Sequence, residues 1–209
     1  MIVYIAGINH FDPTNREALR RWLANLSSSR TSPPVFVATE WNKEVFENVK
    51  EQRPKFRQLM MSQWPDAPSE LLDILENSLG YEADTHTEVF DDVEILWLDQ
   101  KRSVNVSDIN NYARDRLRMY RNFLEGHPLP KNTSDALSMF SEEARRRAQN
   151  SGTSTQRDVE WARLIREKCA ISKGEWVIII VGASHASDHE GSMRRLLQDQ
   201  GLICQVNIF

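Results

Sequence analysis

The sequence predicts an α/β fold with a mostly parallel central sheet of about five strands and helices on both faces. Four short apolar runs, rich in β-branched residues, have the composition of strands that are covered on both faces. They occupy residues 2–6, 35–39, 93–98 and 176–181. Helical patterns separate these runs, as expected when parallel strands are joined by right-handed crossovers. A fifth run, 203–208, is more polar and is typical of an edge strand.

Helical periodicity recurs between the strands. It covers residues 13–26, 41–61, 69–79, 107–124, 134–149, 156–170 and 191–200. The first helix is predicted to begin after Asp12, a residue type that commonly caps helices, with Pro13 at the first helical position. The last is predicted to end at Gly201, because glycine tolerates the left-handed conformation that follows many helices.

The composition is typical of one globular domain spanning residues 1–209. With 26 Lys and Arg against 30 Asp and Glu, the formal charge is -4, which disfavours nucleic acid and anionic membranes as partners. No apolar run approaches the ~20 residues of a membrane span. Because no basic leader is evident either, we expect a cytoplasmic protein. Cys169 and Cys204 lack ligand spacing and are expected to be small buried residues, with a disulfide between them left open.

Ionisable side chains follow four of the predicted strands. They are His10, Glu40, Asp99 and His185. In an open parallel sheet, ligands bind outside the carboxyl ends of the strands, so these side chains are expected to share one edge. Both histidines stand in the spacing Gly-x-x-His, after Gly7 and Gly182. Glycine lets the chain turn sharply after a strand, so that the imidazole three residues later can face back over the sheet.

Two neutral histidines and a carboxylate form the usual three-ligand site for a catalytic divalent metal such as Zn, Mn or Co. We therefore expect His10, Glu40 and His185 to meet above the sheet, with a second carboxylate as general base. Each residue also has an ordinary interpretation, since loop histidines are usually solvated and an Asp after a strand is often a helix cap. The joint hypothesis depends on all of them lying at one sheet edge.

The order of short motifs along the chain is more specific than any single motif. They are Gly7-Ile8-Asn9-His10, Val37-Ala38-Thr39-Glu40, Gly80-Tyr81-Glu82, Leu98-Asp99-Gln100, Gln156-Arg157-Asp158 and Gly182-Ala183-Ser184-His185. In this order and over nearly the whole chain, the sequence resembles the TraB/Tiki family, within a superfamily that includes erythromycin esterase-like and ChaN-like proteins. The resemblance implies a metal-dependent protease or hydrolase. It places His10, Glu40 and His185 at the metal, and Glu82, Asp99 and Arg157 in supporting catalytic positions beside Glu40.

Two residues depart from the family pattern. Gln100 stands where the family has Arg, and Gln156 where it has Glu. These departures favour a second hypothesis, a non-catalytic protein of the same fold that binds haem, a peptide or a small metabolite. A third hypothesis is an interaction module of a larger complex, which would use arginine-bearing helix faces such as residues 145–147, although such faces are usually only solvated. The hydrolase hypothesis implies a small-molecule or peptide substrate, and all three are compatible with a homo-oligomer.

The remaining residues of interest have simpler interpretations. Glu40 ends an apolar strand, where an unpaired carboxylate is costly, and either a metal or an arginine would resolve that cost. Arg157 is the best candidate arginine, with an exposed position in the first turn of its helix as the alternative. His189 is interpreted as a rim residue of the site. His86 and His127 are interpreted as surface residues.

Overall fold

The computed structural model describes residues 1–100, 132–148 and 155–209, together with residue 118. The predicted helix 107–124, apart from that one residue, lies outside the described residues, as does His127. Five strands form one sheet in the order β3-β2-β4-β1-β5, with every pairing parallel. They are β1 (Ile2–Ile8), β2 (Phe36–Thr39), β3 (Glu94–Trp97), β4 (Trp176–Gly182) and β5 (Ile203–Ile208). The predicted parallel sheet is confirmed, and β5 lies at its edge as expected.

The helices follow the strands as the sequence predicts. The described α-helices are α1 (Asn15–Ser29), α2 (Lys43–Gln63), α3 (Ser69–Asn77), α4 (Tyr81–Asp84), α5 (Thr133–Ala148), α6 (Thr155–Ile171), α7 (Ala183–Ala186) and α8 (Met193–Asp199). A 3₁₀ helix, Thr85–Glu88, continues α4. The short helices α4 and α7 were not predicted, because four residues are too few to show a helical period. Both are important because each follows a glycine and carries a residue of the site.

Helices pack on both faces of the sheet, and the alternation of side chains along β1 shows how. Val3 and Ile5 belong to the core cluster that contains Ile165 of α6 and Leu197 of α8. The intervening side chains of Tyr4, Ala6 and Ile8 belong to the opposite cluster, which contains Leu19 and Leu23 of α1. A third cluster joins α2, α3 and α5. Because both faces of β1 are buried, its sequence is continuously apolar, which made it recognisable.

The start of α1 differs from the prediction. Its N-cap is Thr14, which makes no side-chain capping bond, so Asp12 is not the cap. Asp12 Oδ1 instead accepts hydrogen bonds from the backbone N–H of Thr14 at 2.9 Å and from the hydroxyls of Thr14 and Ser141 at 2.6 and 2.7 Å. Asp12 therefore stabilises the turn before α1 and joins it to α5.

Gly201 follows the C-cap of α8 with φ of 84°, the left-handed conformation that was predicted. Cys169 and Cys204 are free thiols, each partly buried. None of the described helices is long and apolar enough to cross a membrane.

Candidate functional site

The predicted site residues follow neighbouring strands at one edge of the sheet. The strands β2, β4 and β1 lie side by side, and β3 lies next to β2. Glu40, His185 and His10 therefore follow three adjacent strands, and Asp99 follows the outer one. The contacts divide these residues into three groups, which are centred on His10, His185 and Asp99.

The imidazole of His10 lies between two carboxylates. Its Nε2 is 2.9 Å from Glu40 Oε1, and its Nδ1 is 2.7 Å from Glu82 Oε1. Glu82 is only 1% exposed and is carried by α4, whose preceding Gly80 has φ of 64°. Since an ionised carboxylate only accepts hydrogen bonds, both ring nitrogens donate when both bonds are made, and the ring is then positively charged.

The charges of this group shift the pKa values of His10 and Glu40 in opposite directions. Burial alone would lower the pKa of His10, but the charge of Glu40 and the hydrogen bonds to Glu40 and Glu82 outweigh it and raise that pKa. Burial alone would raise the pKa of Glu40. The charge and hydrogen bond of His10, the N–H of Gly182 and the charge of Arg157 reverse this and lower it. Glu40 is therefore held as a carboxylate and His10 as an imidazolium.

The glycines of the two Gly-x-x-His motifs make room for each other's motif. A Cβ on Gly182 would lie 2.9 Å from His10 Nε2, and one on Gly7 would lie 2.7 Å from the Cβ of Ala186. The backbone N–H of Gly182 also donates to Glu40 Oε2 at 2.7 Å. The motifs thus form one interlocked unit across the β1–β4 pair, although 171 residues lie between His10 and Gly182 in a chain of 209.

His185 has a buried carboxylate partner of its own. Its Nδ1 is 2.8 Å from Asp158 Oδ1, and the same oxygen accepts the backbone N–H of Met193 at 2.9 Å. Asp158 is fully buried, at the start of α6. Among the residues that the structure describes, Nε2 of His185 has no hydrogen-bond partner. Sequence reasoning did not select Asp158, which entered only as the last residue of Gln156-Arg157-Asp158.

A third group forms around Asp99. Its Oδ2 accepts a hydrogen bond from Arg157 Nη2 at 2.9 Å, and its Oδ1 accepts one from Trp161 Nε1 at 3.1 Å. The direct pairing of Arg157 with Glu40 that we predicted is therefore wrong. Glu40 is already hydrogen-bonded by His10 and Gly182, and the guanidinium of Arg157 binds the carboxylate that follows the next strand. The charge of Arg157 still acts on Glu40 by lowering its pKa.

The donor atoms at this edge suit a divalent cation, but the three predicted ligands are not grouped. In the described part of the chain, no three His, Cys, Asp or Glu side chains form a cluster that could hold a metal ion. One observation nevertheless favours a cation. Glu82 Oε2 and Asp158 Oδ2 are buried without hydrogen-bond partners. The metal site at His10, Glu40 and His185 stays a prediction.

His86 and His189 occupy different environments. His86 is 1% exposed, so its prediction as a surface residue is wrong, and neither ring nitrogen has a hydrogen-bond partner. Burial lowers the pKa of His86 to about 4, although the charge of Asp84 acts in the opposite direction. His189 lies in the loop after α7, and its ring nitrogens are 3.0 and 3.1 Å from the carbonyl oxygens of Ser184 and Glu190.

Two clefts flank the end of β3, beside the site. One, of about 510 Å³, is lined by Asp99, Gln100 and the Arg157 side of α6. The other, of about 650 Å³, is lined by Trp97, Gln100 and the first turns of α2. Gln100 therefore lines both clefts.

No family model, curated protein or solved structure matches the chain. The resemblance to the TraB/Tiki family stays a prediction.

Proposed function

We propose that this protein is a metal-dependent hydrolase, peptidase- or esterase-like, that acts at the carboxyl ends of β1, β2 and β4. One observation carries the proposal. Each of the two strand-end histidines, His10 and His185, is held at Nδ1 by a carboxylate that is at most 1% exposed. Histidines that bind metals usually donate their other ring N–H to a carboxylate in this way, which leaves Nε2 as the coordinating nitrogen.

In this proposal His10, Glu40 and His185 would hold the ion, with Glu82 and Asp158 fixing the two imidazoles. A bound divalent metal would supply a Lewis acid and a more acidic water for the hydrolysis of an amide or ester. His10 must first lose the proton from Nε2, which now faces Glu40 at 2.9 Å. Glu40 stays ionised because its pKa is lowered, and this makes it a suitable ligand.

The Asp99 group would act on the substrate. Asp99 accepts a hydrogen bond from Arg157, and the guanidinium lines the cleft beside the site. A fixed guanidinium is well suited to bind a substrate carbonyl or carboxylate oxygen. Glu40, Glu82, Asp99 and Arg157 then take the catalytic and supporting positions that the family resemblance implies.

The test combines metal content with hydrolysis. The purified protein is analysed for divalent metals, supplied with Zn, Mn or Co, and assayed on generic ester and amide substrates. We expect bound metal and activity in the natural protein and at least tenfold losses of both in His10→Ala and His185→Ala. His189→Ala, a matched control in the loop beyond His185, should retain both. A protein that takes up no divalent ion, with variants that behave like the natural chain, would contradict the proposal.

A second candidate is a ligand-binding protein of the same fold without catalysis. It is favoured by His10, both of whose ring nitrogens are engaged by carboxylates, and by Gln100, which lines both clefts. Its ligand would be haem, a peptide or a small metabolite. Titration with haem addresses the first of these, since an unchanged Soret band would exclude haem as the ligand.

A further inference from the structure

Trp161 contacts three residues of the site, namely Asp99, Arg157 and His185. Its Nε1–H donates to Asp99 Oδ1 at 3.1 Å, and the guanidinium carbon of Arg157 lies 4.4 Å from its ring centroid. The ring of His185 lies on it with centroids 4.8 Å apart and planes at 57°. Trp161 is itself 1% exposed, in the face of α6 that packs on the sheet. These contacts come from residues that follow β3, begin α6 and follow β4.

We propose that Trp161 is a positioning residue, which fixes the ring plane of His185 and the direction of Arg157 at the same time. The inference rests on the proposed function in taking His185 and Arg157 as site residues. Asp158 holds His185 at one atom, Nδ1, and a single hydrogen bond does not by itself fix the plane of the ring. The indole supplies the second point of contact, so that Nε2 keeps one direction.

Arg157 is likewise held by one hydrogen bond and by a contact with the indole of Trp161. One hydrogen bond joins its Nη2 to Asp99, and its Nε is buried without a hydrogen-bond partner. The guanidinium lies over the indole instead, and the face of an aromatic ring attracts a cation in this position. Because Asp99 binds both Arg157 and Trp161, removal of the indole N–H would loosen the carboxylate and the guanidinium together.

Two substitutions separate the aromatic contact of Trp161 from its hydrogen bond to Asp99. Trp161→Phe keeps an aromatic face for His185 and Arg157 but removes the hydrogen bond to Asp99. Trp161→Leu removes both. The control is Trp176→Phe, because Trp176 is also fully buried and donates its Nε1–H, to the carbonyl of Ser32 at 3.1 Å, but stands at the other end of β4.

The readouts are nitrogen-15 NMR signals of metal-free protein without substrate, at mildly alkaline pH. We expect the natural chain to show His185 as a single Nδ1–H tautomer and a slowly exchanging Arg157 Nε–H. Trp161→Phe should keep that tautomer and exchange the Arg157 proton at least tenfold faster. Trp161→Leu should also give mixed tautomers of His185, whereas Trp176→Phe should change neither signal.

An unchanged Arg157 exchange rate in Trp161→Phe would overturn the proposal, as would an unchanged His185 tautomer in a folded Trp161→Leu. If Trp161→Leu does not fold, the exchange rate in Trp161→Phe decides alone. None of these measurements depends on metal or hydrolysis. The positioning role of Trp161 can therefore fail while the hydrolase proposal stands, and the hydrolase proposal can fail while the positioning role stands.

Discussion

Gly182 leaves the space that the imidazole of His10 occupies, since a Cβ at this position would lie 2.9 Å from Nε2. The contact joins two motifs from opposite ends of the chain. It also explains why glycine stands three residues before His185. The end of the strand that positions His185 must leave space for the imidazole of His10. The glycine of the second Gly-x-x-His motif is therefore required by the histidine of the first motif.

The first prediction concerns this contact. Gly182→Ala should displace the His10 ring from Glu40 and destabilise the fold by about 1–3 kcal/mol, the usual cost of overpacking. Metal uptake should fall with it. Gly201→Ala is the control, since its Cβ would meet nothing within 4 Å and its cost comes only from φ of 84°. Urea unfolding measures the loss of stability in each variant, and the NMR signals of His10 report the displacement of its ring. An undisturbed His10 in Gly182→Ala would refute the steric argument.

The second prediction concerns Glu82 and the alkaline range. Since Glu82 raises the pKa of His10, Glu82→Gln should lower that pKa. A raised pKa gives stability that is complete below the ordinary value of 6.5 and is lost as the pH rises through the pKa of the folded state. Glu82→Gln should therefore lose this stability at a lower pH than the natural chain. NMR titration of His10, with unfolding measured from neutral to alkaline pH, tests it. The same pKa in both proteins would be the contrary result.

The third prediction concerns His86 and acid. Its pKa of about 4 in the folded protein lies below the ordinary 6.5, so the unfolded chain binds the proton more readily between these values. Stability should fall as the pH decreases through this window, by on the order of 3 kcal/mol in total. His86→Leu should remove that part of the acid sensitivity, whereas His189→Leu should not. Equal pH slopes of the unfolding free energy in the natural chain and His86→Leu would contradict this account.

The fourth prediction concerns Asp158. Asp158→Asn keeps an oxygen for His185 or Met193 but removes the charge that favours the Nδ1–H tautomer. Substitution of a carboxylate behind a metal-binding histidine typically costs 10–100-fold in metal affinity, and we expect a loss of this size. Asp135→Asn, at the exposed first turn of α5, is the matched control. Calorimetric titration with a divalent metal measures both, and equal affinities would show that Asp158 has only a structural role.

Much of the fold could be predicted because its signals are local. The strands β1 and β4 are buried on both faces, so their sequences are apolar without interruption. Once the strands were placed, the rule for parallel sheets put His10, Glu40, Asp99 and His185 at one edge. No further information was needed to find the neighbourhood of the site.

The partners of these residues could not be predicted in the same way. Glu82 is buried because a four-residue helix after Gly80 turns it towards His10, and so short a helix has no period. Asp158 and Trp161 face His185 because of how α6 packs on the sheet, which periodicity alone does not fix. His86 was interpreted as a surface residue, yet the 3₁₀ helix Thr85–Glu88 buries its ring.

The central claim is that His10 and His185 bind the same divalent ion through their Nε2 atoms. X-ray absorption spectroscopy of the cobalt-loaded protein tests it most directly, because the outer-shell scattering counts imidazole ligands. We predict two imidazoles in the natural chain and one in a His185→Ala variant that still retains cobalt. A cobalt-loaded protein without an imidazole ligand, or with the same number in both proteins, would contradict the claim.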